Sequence, residues 1–274
     1  MKYRFIDLFA GAGGLSEGFI RAGYEPIAHI EMDHYACDSL KTRAAFHYLK
    51  ENGKLEIYEE YLKNKKEKTD GSWLWNQVPK SVIDSVIQEA IGKETLPSLF
   101  ERVDKLCNGK PVDMIIGGPP CQAYSVAGRA RLGKKIEEDP RNDLYKFYVE
   151  FLKRYKPKMF VFENVLGIFT AKGGEPFRDL IRLVRELDYN IDFREQIASQ
   201  HGVLQKRHRV IIVGWQNKRD TQEDTSYHYP YLLEEQMPYK MMRDLFCDLP
   251  IVKAGEGTLC GIVHYTKPLS DMEY

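Results

Sequence analysis

Apolar residues dominate positions 4–10, RFIDLFA, and a Gly cluster stops them, which predicts a buried strand. Leu15 to Ala22 follows as a short helix ended by Gly23. Pro26 to Met32 predicts a second strand. Asp33 to about Phe46 predicts a second helix, with Asp33 suited to cap it. Strand, turn, helix, strand, helix is the opening of a doubly wound, mostly parallel α/β sheet of the Rossmann-like type.

The pattern changes from about Lys50 to Gly109. This stretch is rich in Lys and Glu, contains Trp73 and Trp75, and has weak strand signal. It reads as a largely helical insertion at 50–109 on the rim of the sheet. Strand character returns at Val112 to Ile116 and stops at Pro119-Pro120. Leu144, Phe147, Tyr148, Phe151, Leu152 and Tyr155 then recur at helical spacing, one face of an amphipathic helix. Met159 to Phe162 is another buried strand, Phe177 to Leu187 another helix, and Val210 to Trp215 a further strand. After Gln216 the pattern decays into polar and Pro-containing sequence. The expected organisation is therefore a catalytic domain over 1–216 and an incomplete recognition or linker region over 217–274.

Composition narrows this picture a little. The chain has 274 residues, 43% of them hydrophobic, which suits a folded domain and not a disordered one. No apolar run reaches the length of a membrane span, and the N-terminus lacks the cleavage site of a signal peptide. Five cysteines, at 37, 107, 121, 247 and 260, show no CxxC spacing. That argues against a disulfide framework and a structural zinc site, and suits a cytoplasmic protein. Net charge is zero, so nucleic-acid binding must come from local basic runs, of which 129–135 and 206–209 are candidates.

Two motifs carry chemistry. Phe9-Ala10-Gly11-Ala12-Gly13-Gly14 lies between a strand and a helix, where glycines allow a close ligand approach and the helix start offers free N–H groups. A dinucleotide fingerprint needs a third Gly where Ser16 stands. Glu31, at the end of the second strand, is placed to accept hydrogen bonds from ribose hydroxyls. Gly117-Gly118-Pro119-Pro120-Cys121 follows a buried strand, and paired prolines stiffen the backbone before a thiol that needs a fixed approach. Double Pro after double Gly is an odd way to build a core, which separates Cys121 from the other four cysteines.

In order along the chain stand FIDLFAGAGG, GGPPCQAYSVAGR, FENV and QKRHRVIIVG. Over roughly Tyr3 to Trp215 this resembles the DNA cytosine-C5 methyltransferase family. The resemblance implies S-adenosyl-L-methionine as cofactor and Cys121 as the nucleophile that adds to the base. It implies Glu163 as the residue bonding N3 and the exocyclic amine, and Arg209 on the base oxygen with Arg207 in support. Alternation places Arg207 and Arg209 on one side. For the cofactor it implies Phe9, Gly11, Gly13, Leu15, Glu31, Met32, Pro120 and Leu144. The family's acidic residue at the end of its third strand is obscured by the insertion, with Glu94 one guess. Gln122, Ser125, Arg129 and Arg131 are expected to face DNA, whose target base must leave the stack to react. No metal is implied.

The resemblance also carries departures. Residues 242–250 resemble the stretch before target recognition, and no later Gly-Asn-Ser-Val-like segment follows. A second polypeptide supplying the recognition region and a closing segment is therefore an expected partner beside double-stranded DNA. The alternative is a shortened chain. A role in a bacterial restriction-modification system is expected, near the nucleoid. The competing functions are an RNA cytosine methyltransferase and a cofactor-binding regulatory subunit without activity.

Overall fold

The computed structural model describes residues 2–63, 71–120 and 143–217. Seven strands form one sheet in the order β3-β2-β1-β4-β5-β7-β6. Strand β1 (Arg4–Leu8) lies in its interior, parallel to β2 (Glu25–Glu31) on one side and on the other to β4 (Met114–Gly117), the central strand. Beyond β4, β5 (Met159–Asn164) is also parallel, while β7 (His208–Gln216) runs antiparallel against β5. All four residues of β4 are buried, as expected for a strand covered on both faces. This is the mostly parallel doubly wound sheet that the alternating pattern implies.

The first helices also follow the sequence. Helix α1 (Gly14–Arg21) ends before Gly23, whose φ is 91°. Helix α2 (His34–Glu51) is capped by Asp33, which accepts from the Ala36 amide at 2.8 Å. It runs past Phe46 to Glu51 because the sequence there contains neither Gly nor Pro to stop it.

The stretch 50–109 divides in two. Helices α3 (Leu55–Lys63), α4 (Ser72–Trp75) and α5 (Lys80–Asp84) pack with the end of α2 around Ala45, Leu49, Tyr61, Leu74 and Val78, a cluster of its own. From residue 86 the chain returns to the sheet. Strand β3 (Val86–Gln88) pairs parallel with β2, and α6 (Leu96–Cys107) sends Leu99, Val103 and Cys107 into the main core. A three-residue strand is too short for periodicity to reveal it, which is why this part reads as rim in the sequence.

Helix α7 (Leu144–Tyr155) buries Tyr148, Phe151 and Leu152, and with them Tyr145 and Val149. The Tyr148 hydroxyl bonds the carbonyls of Ile115 and Val161, spanning β4 and β5. Helix α8 (Glu175–Glu186) follows, then β6 (Tyr189–Ile197), which the pattern did not predict. Its charged residues Asp192, Arg194 and Glu195 mask it, as is common for a strand at a sheet edge. Residues 196–208 group into a second compact unit. Within it Ala198–Gln200 form a 3-10 turn, and the Ala198 amide donates to the Arg207 carbonyl at 2.9 Å.

Candidate active site

The strands β1, β2, β4 and β5 end on one edge of the sheet, where open α/β folds place their ligands. The first half of the candidate site begins where β1 stops. Phe9, Gly11 and Gly13 all have positive φ, at 56°, 54° and 84°, so the chain turns sharply into α1. Gly13 caps α1 without a side-chain bond, which leaves the amides of the first turn open. The Glu31 carboxylate is held beside this turn. Its Oε2 accepts from the Gly11 amide at 2.8 Å, and its Oε1 accepts from Met32 and Asp33 at 2.8 and 2.9 Å. A carboxylate has about four acceptor sites, so capacity remains for a hydroxyl. Met32 is 67% exposed at the strand end, an apolar side chain left open next to that carboxylate.

Other cofactor candidates are more loosely tied to this corner. Phe9 packs partly against the main core. The Leu15 side chain packs against the cluster of Phe5, Met114 and Ile116, so its backbone is the group it presents to the turn. Leu144 is the half-buried first residue of α7, and Pro120 is half-buried at the end of the described Pro-Pro loop. The third strand ends at Gln88, and the acidic residue there is Glu89, whose amide donates to the Glu31 carbonyl at 2.9 Å. Glu94 lies further on, exposed, in a turn before α6. Locating β3 was the signal that sequence reading lacked.

The second half of the candidate site is built by β4, β5 and β7. Gly117, with φ 131°, and Gly118 pass between two strands with no room for side chains. A Cβ on Gly117 would lie 2.0 Å from the Leu8 carbonyl oxygen, and one on Gly118 would lie 2.0 Å from that of Glu163. Asn164, 1% exposed, bonds the Pro119 carbonyl through Nδ2 at 3.5 Å, while its Oδ1 accepts from the Val165 amide. The loop that leads to residue 121 is therefore fastened to the end of β5. Glu163 sits beside it, and Arg209 Nε donates to Glu163 Oε1 at 2.6 Å. The two side chains are 31% and 24% exposed, so the pair opens to solvent.

The structure thus brings Glu163 and Arg209 together and sets Glu31 against the Gly-rich turn. Arg207 is exposed in the second unit, where its amide donates to the Gln205 carbonyl at 2.8 Å. Cys121, Gln122, Ser125, Arg129 and Arg131 lie outside the described residues. Among the described residues no group of three or more His, Cys, Asp or Glu side chains forms a metal site. No helix among them is long and apolar enough to cross a membrane.

A family model, C-5 cytosine-specific DNA methylase, matches residues 3–73 and 88–254. The chain belongs to that family. The gap in the match takes in α5, the start of β3, and Leu74 and Val78 of the separate rim cluster. Among family relatives, the type II methyltransferase M.Bpa9945I of Bacillus paralicheniformis is 33% identical over 280 residues, covering 92% of this chain and 62% of its own length. M1.HphI of Haemophilus parahaemolyticus is 28% identical, covering all of this chain and 61% of its own. The chain thus spans less than two thirds of these curated relatives. Among solved structures, a protein described as a DNA modification methyltransferase encoded within an E. coli prophage has the same fold. Its TM-score is 0.57 at 24% identity, over 92% of this chain and 56% of that one.

Proposed function

We propose that this chain methylates carbon-5 of cytosine in DNA, using S-adenosyl-L-methionine, through a covalent adduct between Cys121 and a flipped-out base. The observation that carries the reading is the Arg209–Glu163 pair fastened beside the Gly-Gly-Pro-Pro loop. Carbon-5 of cytosine is a poor nucleophile. Addition of the Cys121 thiolate to C6 gives an enamine, whose C5 then bonds the incoming methyl group. Loss of the C5 proton to a base expels the thiolate and restores the ring. Glu163 holds a proton at N3 as the thiolate adds, which spreads the charge that the ring takes up. Arg209 orients Glu163 through Nε, and its guanidinium has further donors for the base oxygen.

The residues at the Gly-rich turn fit the cofactor. Open amides at the start of α1 suit a carboxylate, the remaining acceptor capacity of Glu31 suits ribose hydroxyls, and exposed Met32 with Phe9 suits an adenine ring. When bound, the cofactor supplies a methyl group activated on a sulfonium. Its affinity for a nucleoside and an amino-acid end comes from these two strand ends together. Gln122, Ser125, Arg129 and Arg131 complete the reading as DNA contacts, and Arg207 as support. Both relatives described above are type II methyltransferases, which favours service in a restriction-modification system.

The test is incubation of the full chain with a 5-fluorocytosine duplex and cofactor, followed by intact mass spectrometry. A covalent complex is expected at Cys121, and none with Cys121→Ser. Methyl transfer to the duplex without dependence on Cys121 would defeat the proposal. An RNA strand of the same sequence, reacting in place of the duplex, would redirect it to RNA.

A further inference from the structure

Two buried polar side chains lie beneath the cofactor turn and take no part in the chemistry above. Asp7 on β1 is 1% exposed and His29 on β2 is 4% exposed. They are direct partners in the parallel ladder, with His29 Nδ1 3.5 Å from Asp7 Oδ2. Neither carboxyl oxygen of Asp7, nor His29 Nδ1, has a hydrogen-bond partner among the described residues. Burial pushes the Asp7 carboxyl above its ordinary pKa, and the imidazole beside it pulls the other way. Such a pair is a poor way to hold a sheet together. Apolar residues of similar volume are often at least as stable, whereas losing one partner leaves a buried charge uncompensated. What a pair of this kind does well is to distinguish one alignment from another.

The β1–β2 ladder contains two alignments. Arg4 faces Glu25 and Phe5 faces Pro26, but Ile6 faces Ala28, Asp7 faces His29 and Leu8 faces Ile30. Ile27 is the extra residue at the shift. The second alignment continues into the turn, where the Ala10 amide donates to the Ile30 carbonyl at 3.1 Å and the Gly11 amide donates to the Glu31 carboxylate. Because side chains alternate along a strand, a slip of one residue turns each to the opposite face. Asp7 would then lose His29, and Gly11 would lose Glu31.

We infer that Asp7 and His29 form a register lock, a pair of positioning residues that sets Glu31 against the Gly-rich turn for the cofactor ribose. The inference rests on the cofactor reading proposed above. Ser16 stands on the helix side of the pair, and its side chain also draws the Asp7 pKa down. Ser16 is 2% exposed, and its hydroxyl donates to the Gly13 carbonyl at 3.2 Å, tying the first turn of α1 to the same loop. Asp7 and Phe9 are two residues apart, as are His29 and Glu31. The pair therefore acts immediately before both strand ends deliver their ligand-facing groups.

The experiment is the double variant Asp7→Val with His29→Val in the full chain, which replaces the pair by residues that favour strands. Two quantities are read: amide hydrogen exchange at Ala10 and Gly11, and the Kd for S-adenosylhomocysteine by calorimetry. Exchange at those two amides is expected to accelerate relative to the Ile116 amide in β4, and the Kd to rise at least about tenfold. Leu99→Ala, which weakens the core elsewhere, is expected to leave both unchanged after correction for global stability. Wild-type exchange at Ala10 and Gly11 in the double variant would overturn the lock. Faster exchange with unaltered Kd would overturn its role in positioning. If the double variant does not fold, Asp7→Asn gives the same comparison, since the amide keeps the shape and puts a donor where the carboxyl oxygen faced His29. A wild-type chain that binds no S-adenosylhomocysteine would count against the cofactor reading, while the exchange data would still decide the lock.

Discussion

At Glu163 and Arg209, one short hydrogen bond joins two residues that sequence reading assigned separately. Each was assigned from its own motif, FENV or QKRHRVIIVG, and from the resemblance that the motifs carry. Their mutual bond was not legible, since it depends on β7 running antiparallel to β5, and an apolar run does not declare its direction. The bond leads to a prediction. Arg209→Ala is expected to slow adduct formation on 5-fluorocytosine DNA by about a hundredfold or more, the usual cost of one charge-stabilising donor. Arg209→Lys should restore little, because an ammonium cannot hold Glu163 through Nε and present a planar fork at the same time. Glu163→Gln is expected to depress the single-turnover rate while leaving cofactor affinity near that of the wild type, measured by rapid quench and calorimetry. The Glu31 contact was half legible. Its place at the strand end could be read, but its bonds to three backbone amides come from the turn geometry.

Elements show the same division between what spacing encodes and what packing adds. Helices α1 and α2 follow from Gly, Asp and apolar spacing, but the contact between them does not. Glu17 on α1 accepts from Arg43 at 2.8 Å and lies 2.9 Å from His47 Nε2, both on α2. Burial raises the Glu17 pKa, yet His47 and Arg43 together bring it below its ordinary 4.5. A carboxyl with a lowered folded pKa contributes stability that is present above its unfolded value and is lost as pH falls through the folded one. Glu17→Gln is therefore expected to lower the urea midpoint at about pH 6 and to make no difference well below 4.5. A pH-independent deficit would show that the clamp works by shape and not charge. Strands β3 and β6 are the elements that the sequence hid most completely, and α6, read as helix, hid only its place in the main core. Because Leu99 is fully buried in the main core, Leu99→Ala should cost about 2–5 kcal/mol in urea unfolding, far more than a rim residue would.

Across the molecule, the main sheet and the rim cluster have separate apolar interiors. The sheet carries the site, whereas Leu49, Tyr61, Leu74 and Val78 close on one another beside the end of α2. Regions with their own small core open below the global unfolding free energy. Leu74→Ala is accordingly expected to raise hydrogen exchange across α3 to α5 and to leave exchange in β4 and β5 unchanged. Uniform acceleration would mean that the rim and sheet unfold as one unit. The doubly wound plan was legible because each strand–helix unit repeats a local pattern. The rim was legible only as helical sequence, since nothing local tells a cluster packed on α2 from one packed on the sheet.

Gly117 and Gly118 leave a mark that can be sought without any assay of binding or rate. Each Cβ position is already filled by a carbonyl oxygen of a neighbouring strand, so alanine is excluded as firmly as tryptophan. In a saturation library selected for protection of cellular DNA from a cognate nuclease, tolerance elsewhere should grade with side-chain size. At these two adjacent codons it should fall to a single permitted letter, and the silence would owe nothing to chemistry.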